Sequence, residues 1–156
     1  MTSPARRASP SLDAAVPGRI LAIDYGRRRI GLALSDELRL TAQPLTTLER
    51  ENRSDDLRRL RKIVREHNVD LIVVGHPVRL DGTAGEMAEE AGRFAKRLEK
   101  ELGLPVEMMD ERLSSWEAEE MQAAKPSASR KRKAPLDQIA AAVILRDYLE
   151  RHRRSV

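Results

Sequence analysis

From Arg19 onward the chain alternates short apolar runs with longer stretches of helical spacing. Ile20 to Tyr25 is apolar throughout except for Asp24, and it closes at Gly26, which predicts a strand buried on both faces. Arg27, Arg28 and Arg29 make a turn, and Ile30 to Ser35 reads as the returning strand of a hairpin. Pro44 to Leu48 predicts a third, shorter strand, placed at a sheet edge because proline cannot donate to a ladder.

A second regime follows. Leu57, Leu60, Ile63 and Val64 share one helical face in a segment ending near His67. Asp70 to Gly75 is the clearest strand. Thr83 with Glu86 is a capping-box pattern opening a helix whose Met87, Ala91, Phe94, Leu98 and Leu102 form one stripe, stopped by Gly103. Pro105 to Asp110 predicts another strand, and Ser114 with Glu117 opens a helix to about Ala124. Pro135 suits the first position of a last helix reaching about Arg151. A strand meander followed by alternating helices and strands predicts an α/β domain with a mixed five-stranded sheet, the later strands parallel and flanked by helices. Residues 1–18, rich in Pro, Ser and Ala, are expected to be a disordered tail, 19–151 a single domain with a mobile basic loop at 125–134, and 152–156 a C-terminal tail.

Composition narrows the chemistry. The 156 residues suit one domain, and the absence of cysteine removes disulfides, a thiolate nucleophile and cysteine-ligated zinc. Three scattered histidines weaken a zinc-hydrolase reading. No stretch offers the ~20 apolar residues of a membrane span, and no apolar core follows the N-terminal arginines, so a cytoplasmic protein with no membrane partner is expected. The net charge of +4 is compatible with a polyanionic partner. With four aromatic residues (Tyr25, Phe94, Trp116 and Tyr148), nucleic acid would be gripped by phosphates and shape rather than by stacked bases.

Three acidic positions stand out. Asp24 ends an apolar strand, Asp110 and Glu111 follow another, and Asp137 lies in the first turn of the last helix. Each has a plain structural reading: a turn cap, a pair with Arg112, a carboxylate favoured by the helix dipole. Together they occupy strand ends and a helix start, which can converge on one side of an α/β sheet. Hard oxygen ligands on rigid elements suit Mg²⁺ or Mn²⁺, and two such ions can cleave a phosphodiester. Arg29, beside Asp24, and the acid-free run of Lys125, Arg130, Lys131, Arg132 and Lys133 are candidate phosphate contacts, against the alternative of merely solvated charge. Trp116 is read as a core residue.

The motifs resemble one family. Asp24-Tyr25-Gly26 with Arg29-Ile30-Gly31-Leu32-Ala33 is similar to the opening D-[FY]-G-x-x-R-I-G-x-A pattern of the YqgF (RuvX) family of pre-16S rRNA nucleases. Gly75-His76-Pro77 with Asp81-Gly82-Thr83 and Gly85, Asp110-Glu111-Arg112-Leu113-Ser114-Ser115, and Asp137 with Ala140-Ala141-Ala142-Val143-Ile144-Leu145 resemble its later motifs, in order. Position 76 is His where the family commonly has Leu, and Ala134-Pro135-Leu136 departs from its usual lysines and β-branched residue. The resemblance implies a ribonuclease H-like fold and a metal-holding catalytic trio of Asp24, Glu111 and Asp137, with Asp110 a further candidate. It also implies a nuclease acting in maturation of the 5′ end of pre-16S rRNA, and so a ribosomal assembly particle as a partner.

Competing functions remain at this level. The same site would serve a Holliday junction resolvase acting on branched DNA, whose paired cuts demand a homodimer, whereas an RNA nuclease works as a monomer or a dimer. A non-catalytic rRNA-binding assembly factor would make no use of the acidic trio. An actin-like ATPase duplicates this fold around ATP, and 156 residues are too few for both halves.

Overall fold

The computed structural model describes residues 18–75, 84–109 and 134–154. β1 (Arg19–Asp24), β2 (Arg29–Ser35) and β3 (Ala42–Glu49) come first, followed by α1 (Arg53–Glu66), β4 (Val69–Gly75), α2 (Ala84–Leu102), β5 (Val106–Met109) and α3 (Ala134–Arg154). The sheet order is β3-β2-β1-β4-β5. β1, β2 and β3 pair antiparallel, while β4 runs parallel to β1 and β5 parallel to β4. This is the mixed sheet of the ribonuclease H-like fold, with the meander leading and the parallel strands following, as the apolar pattern predicts.

Because successive strand residues point to opposite faces, the sheet feeds two cores. Leu21, Ile23, Ile30, Leu32, Ile72 and Val74 pack with Leu60 of α1 and with Ala91, Phe94 and Leu98 of α2. Ile20, Ala22, Ala33, Leu71 and Val73 pack on the other side with Ala141, Ala142, Ile144 and Leu145 of α3. The α3 side is lined by smaller residues. Besides Ala22 and Ala33, Gly75 lies under Ile144 and Gly31 under the first turn of α3, so this helix settles close to the sheet.

Boundaries differ from the sequence pattern where capping or pairing overrides periodicity. α1 starts four residues before Leu57, because Asn52 Oδ1 accepts a hydrogen bond from the Asp55 amide and caps the helix. Gly103 has φ +70° and its amide bonds the Glu99 carbonyl, the glycine stop that ends α2. Pro44 lies inside β3, which is longer than predicted. It is tolerated because β3 is an edge strand and its register with β2 shifts at Leu32/Ala33. The predicted helix at 114–124 with Trp116, the capping residue Thr83, His76, residues 1–17 of the expected N-terminal tail and 125–133 of the basic loop lie outside the described residues. At the other end the expected tail is shorter than predicted: α3 continues past Arg151 to Arg154, because its backbone hydrogen bonding outlasts the apolar stripe. No described helix is long and apolar enough to cross a membrane.

Candidate active site

Asp24 is the last residue of the central strand and belongs to the face covered by α3. Its partner across the β1–β2 ladder is Gly31. A Cβ at position 31 would lie 1.9 Å from the backbone oxygen of Asp137, so only glycine lets the first turn of α3 descend there. Thr47 Oγ1 donates to Gln138 Oε1 (3.4 Å), tying that turn to β3 as well. The result is two carboxylates brought together from opposite ends of the chain.

Their surroundings differ. Asp24 is 7% exposed, and its Oδ1 has no hydrogen-bond partner among the described residues. Burial, and secondarily the negative charge of Asp137, pushes its carboxyl up from 3.8 to about 8. Asp137 is partly exposed, and its Oδ2 accepts a hydrogen bond from Arg29 Nε at 3.1 Å. Arg29 is therefore the partner of a site carboxylate.

The turn that presents these groups is tightly held. A Cβ on Gly26 would lie 2.3 Å from the Arg29 carbonyl oxygen, so the turn closes only on glycine. Arg50 clasps it from outside: its amide donates to Arg28 O (2.8 Å) and its Nη1 to Gly26 O (3.0 Å). Arg27 points away from the carboxylates and forms a two-pronged pair with Glu90 of α2 through Nε (3.0 and 3.1 Å) and Nη2 (2.7 Å). The three-arginine turn thus divides its labour, with Arg29 on Asp137, Arg27 on α2, and Arg28 exposed.

Of the predicted acidic residues, the structure brings Asp24 and Asp137 together. Asp110 and Glu111 lie outside the described residues, as do Lys125 and Arg130, Lys131, Arg132 and Lys133. The end of β5 is described. Met109 is in register with Gly75, and Gly75 with Asp24, so the strand stops level with Asp24 immediately before Asp110. Sequence reasoning missed Gly31 and Arg50. The first is legible only as an R-I-G motif, and the second carries no local signal.

The donor set fits a hard divalent cation. No group of three possible ligands occurs among the described residues. Asp24 and Asp137 are oxygen donors, and Asp24 has a buried oxygen with no partner among the described residues and a charge that its surroundings oppose. A cation relieves both costs.

A ribonuclease H-like sheet with a buried carboxylate on the central strand and a second on the final helix defines the class of domain. Within it, the family model described as "RuvX: Holliday junction resolvase" matches residues 18–151. The chain is 48% identical over 132 residues to the "Putative pre-16S rRNA nuclease" of Syntrophus aciditrophicus (strain SB), covering 85% of this chain and 88% of that protein. It is 47% identical over 137 residues to the protein of the same name from Geobacillus kaustophilus (strain HTA426), covering 86% and 99%. Among solved structures it is similar to T. thermophilus RuvC in complex with a Holliday junction substrate, with TM-score 0.47, 15% identity, and 86% and 96% of the two chains covered. The chain belongs to the RuvX family.

Proposed function

We propose that the protein is a divalent-metal-dependent nuclease that hydrolyses phosphodiester bonds in structured RNA, with the 5′ end of pre-16S rRNA as its substrate in the cytoplasm. The observation that carries the reading is the buried Asp24 oxygen beside Asp137, which has no partner among the described residues, a site costly to keep unless it holds a cation. The names of the relatives support the substrate.

Asp24 and Asp137 would hold Mg²⁺ or Mn²⁺, with Glu111, or Asp110 beside it, completing the donors. When bound, such an ion supplies Lewis-acid polarisation of the phosphoryl group and an activated water near neutral pH. The chain's own residues do the positioning. The central strand holds the Asp24 backbone and the close approach of α3 limits the room around its carboxylate, which preorganises it for a cation. Arg29 orients Asp137 through Nε, and its guanidinium adds positive charge where a phosphate would lie. Hydrolysis joins a water oxygen to phosphorus and breaks one P–O bond, with the departing sugar oxygen taking up a proton.

The family's resolvase description supports a second reading, cleavage of branched DNA. The test is to incubate the protein and its Asp24→Asn variant with pre-rRNA leader fragments and with four-way DNA junctions in Mg²⁺ or Mn²⁺. Metal-dependent cutting of the leader by wild type alone is expected. Cutting of the junctions alone selects the resolvase, and no cutting of either overturns the nuclease reading.

A further inference from the structure

On the sheet face opposite Asp24, a cavity of about 540 Å³ opens between the β1–β2 turn, the β3–α1 connection and α2. Five arginines reach it from these three segments: Arg27, Arg50, Arg53, Arg93 and Arg97, against three acids. Two of those acids are already engaged. Asp56 is buried and accepts from Arg50 and Arg59, and Glu90 accepts from Arg27, which holds its carboxyl below the usual range. Arg53 and Arg97 have no ion pair among the described residues, and Arg53 and Arg93 are exposed. Positive charge therefore remains over after the internal pairs are satisfied.

The floor of the cavity says which part of a ligand fits. Tyr25 and Phe94 are 8% and 4% exposed, and the Arg50 guanidinium lies 5.2 and 5.4 Å from their ring centroids. The aromatic faces are covered by a cation, so no platform is left on which a base could stack. Guanidinium forks suit phosphate oxygens. Tyr25 directly follows Asp24, the last residue of β1, and packs in the core on the opposite face of the sheet. The cavity and the carboxylates thus flank the same end of the central strand.

We propose that this cavity is a second phosphate-binding groove, which holds the sugar-phosphate backbone of the nucleic acid away from the scissile bond without regard to sequence. The proposal rests on the nuclease reading for its ligand, but binding tests it separately from cleavage. Arg53, Arg93 and Arg97 are changed together to Gln, a good helix former, and in parallel to Lys. Binding of a mixed-sequence single-stranded RNA to the full chain is measured in chelator over a salt series, with melting temperature as the check on folding. The Gln variant should flatten the slope of log affinity against log salt by roughly 2, or ~0.7 for each of three lost phosphate contacts. The Lys variant should keep the slope. An unchanged slope in the Gln variant overturns the proposal, and so does an equal loss in the Lys variant. A Gln variant that loses binding of inorganic triphosphate yet keeps the full RNA slope assigns the cavity to a small free anion and overturns the backbone reading. Failure of the nuclease reading is registered elsewhere, as the absence of cutting by wild type.

Discussion

Replacing Asp24 by Asn should stabilise the metal-free protein at neutral pH while abolishing cleavage. The carboxyl is 7% exposed and is raised from 3.8 to about 8, first by burial and then by Asp137. The folded state therefore keeps a proton that the unfolded chain releases. The stability this contributes is complete below pH ~4 and is lost as pH rises through the window to about 8. At about 1.4 kcal/mol per pH unit, the roughly three units up to pH 7 correspond to an upper bound near 4 kcal/mol. Water entering at the partly exposed Asp137 reduces this, so a difference of about 2 kcal/mol is expected. Asn has no proton to lose and is flat across the window. The assay is urea unfolding of both proteins in EDTA at pH 5 and pH 7.5, where subtracting the variant's pH dependence from that of wild type removes the other titrating groups. Added Mg²⁺ should then stabilise wild type more than the variant. If the variant is the less stable at pH 7.5, or if the two proteins share one pH dependence, Asp24 is not a strained carboxylate and the argument for a cation there fails.

Gly31→Ala should push the first turn of α3 off β2 and lower kcat by more than tenfold, since a misplacement of ~1 Å can cost about 100-fold; an active Gly31→Ala enzyme would refute the role given to that close approach. Glu111→Gln should lose more than the ~10–100-fold typical of residues one step removed from a metal, measured as single-turnover cleavage, and Asp110→Asn run beside it identifies the main donor. Changing Arg130, Lys131, Arg132 and Lys133 together to Ser should flatten the salt dependence of RNA affinity by roughly 0.7–0.9 per lost phosphate contact, whereas an unaltered slope would show that run to be solvated charge.

Much of the fold is legible from local pattern because strands and helices write their burial into the chain at short range. The apolar runs from Ile20 to Tyr25 and from Leu71 to Val74, short and closed by glycine, predict strands covered on both faces, and the stripe from Met87 to Leu102 predicts a helix with one buried side. The apolar pattern falls silent where the signal is not hydrophobic. Asn52 begins α1 by a polar cap that periodicity does not register, and β3 extends beyond its apolar centre because β2 offers it partners. Asp24 and Asp137 are conspicuous in sequence for a related reason. Asp24 interrupts an apolar strand, where an unpaired charge is costly, and Asp137 marks the start of the last helix, so both stand out from the apolar pattern around them.

The sequence by itself determined which segments form the sheet, in what order they come, and which carboxylates merit attention. It left open what those carboxylates experience. Arg29 and Asp137 are 108 residues apart, so no window along the chain reveals that the arginine expected to hold phosphate also holds a site carboxylate. The descent of α3 onto Gly31, the burial of the Asp24 oxygen and the meeting of five arginines behind Tyr25 are likewise decided only by packing. Desolvation and Coulomb fields depend on distance and burial in three dimensions, and those exist only once α3 and α2 have closed on the two faces of the sheet.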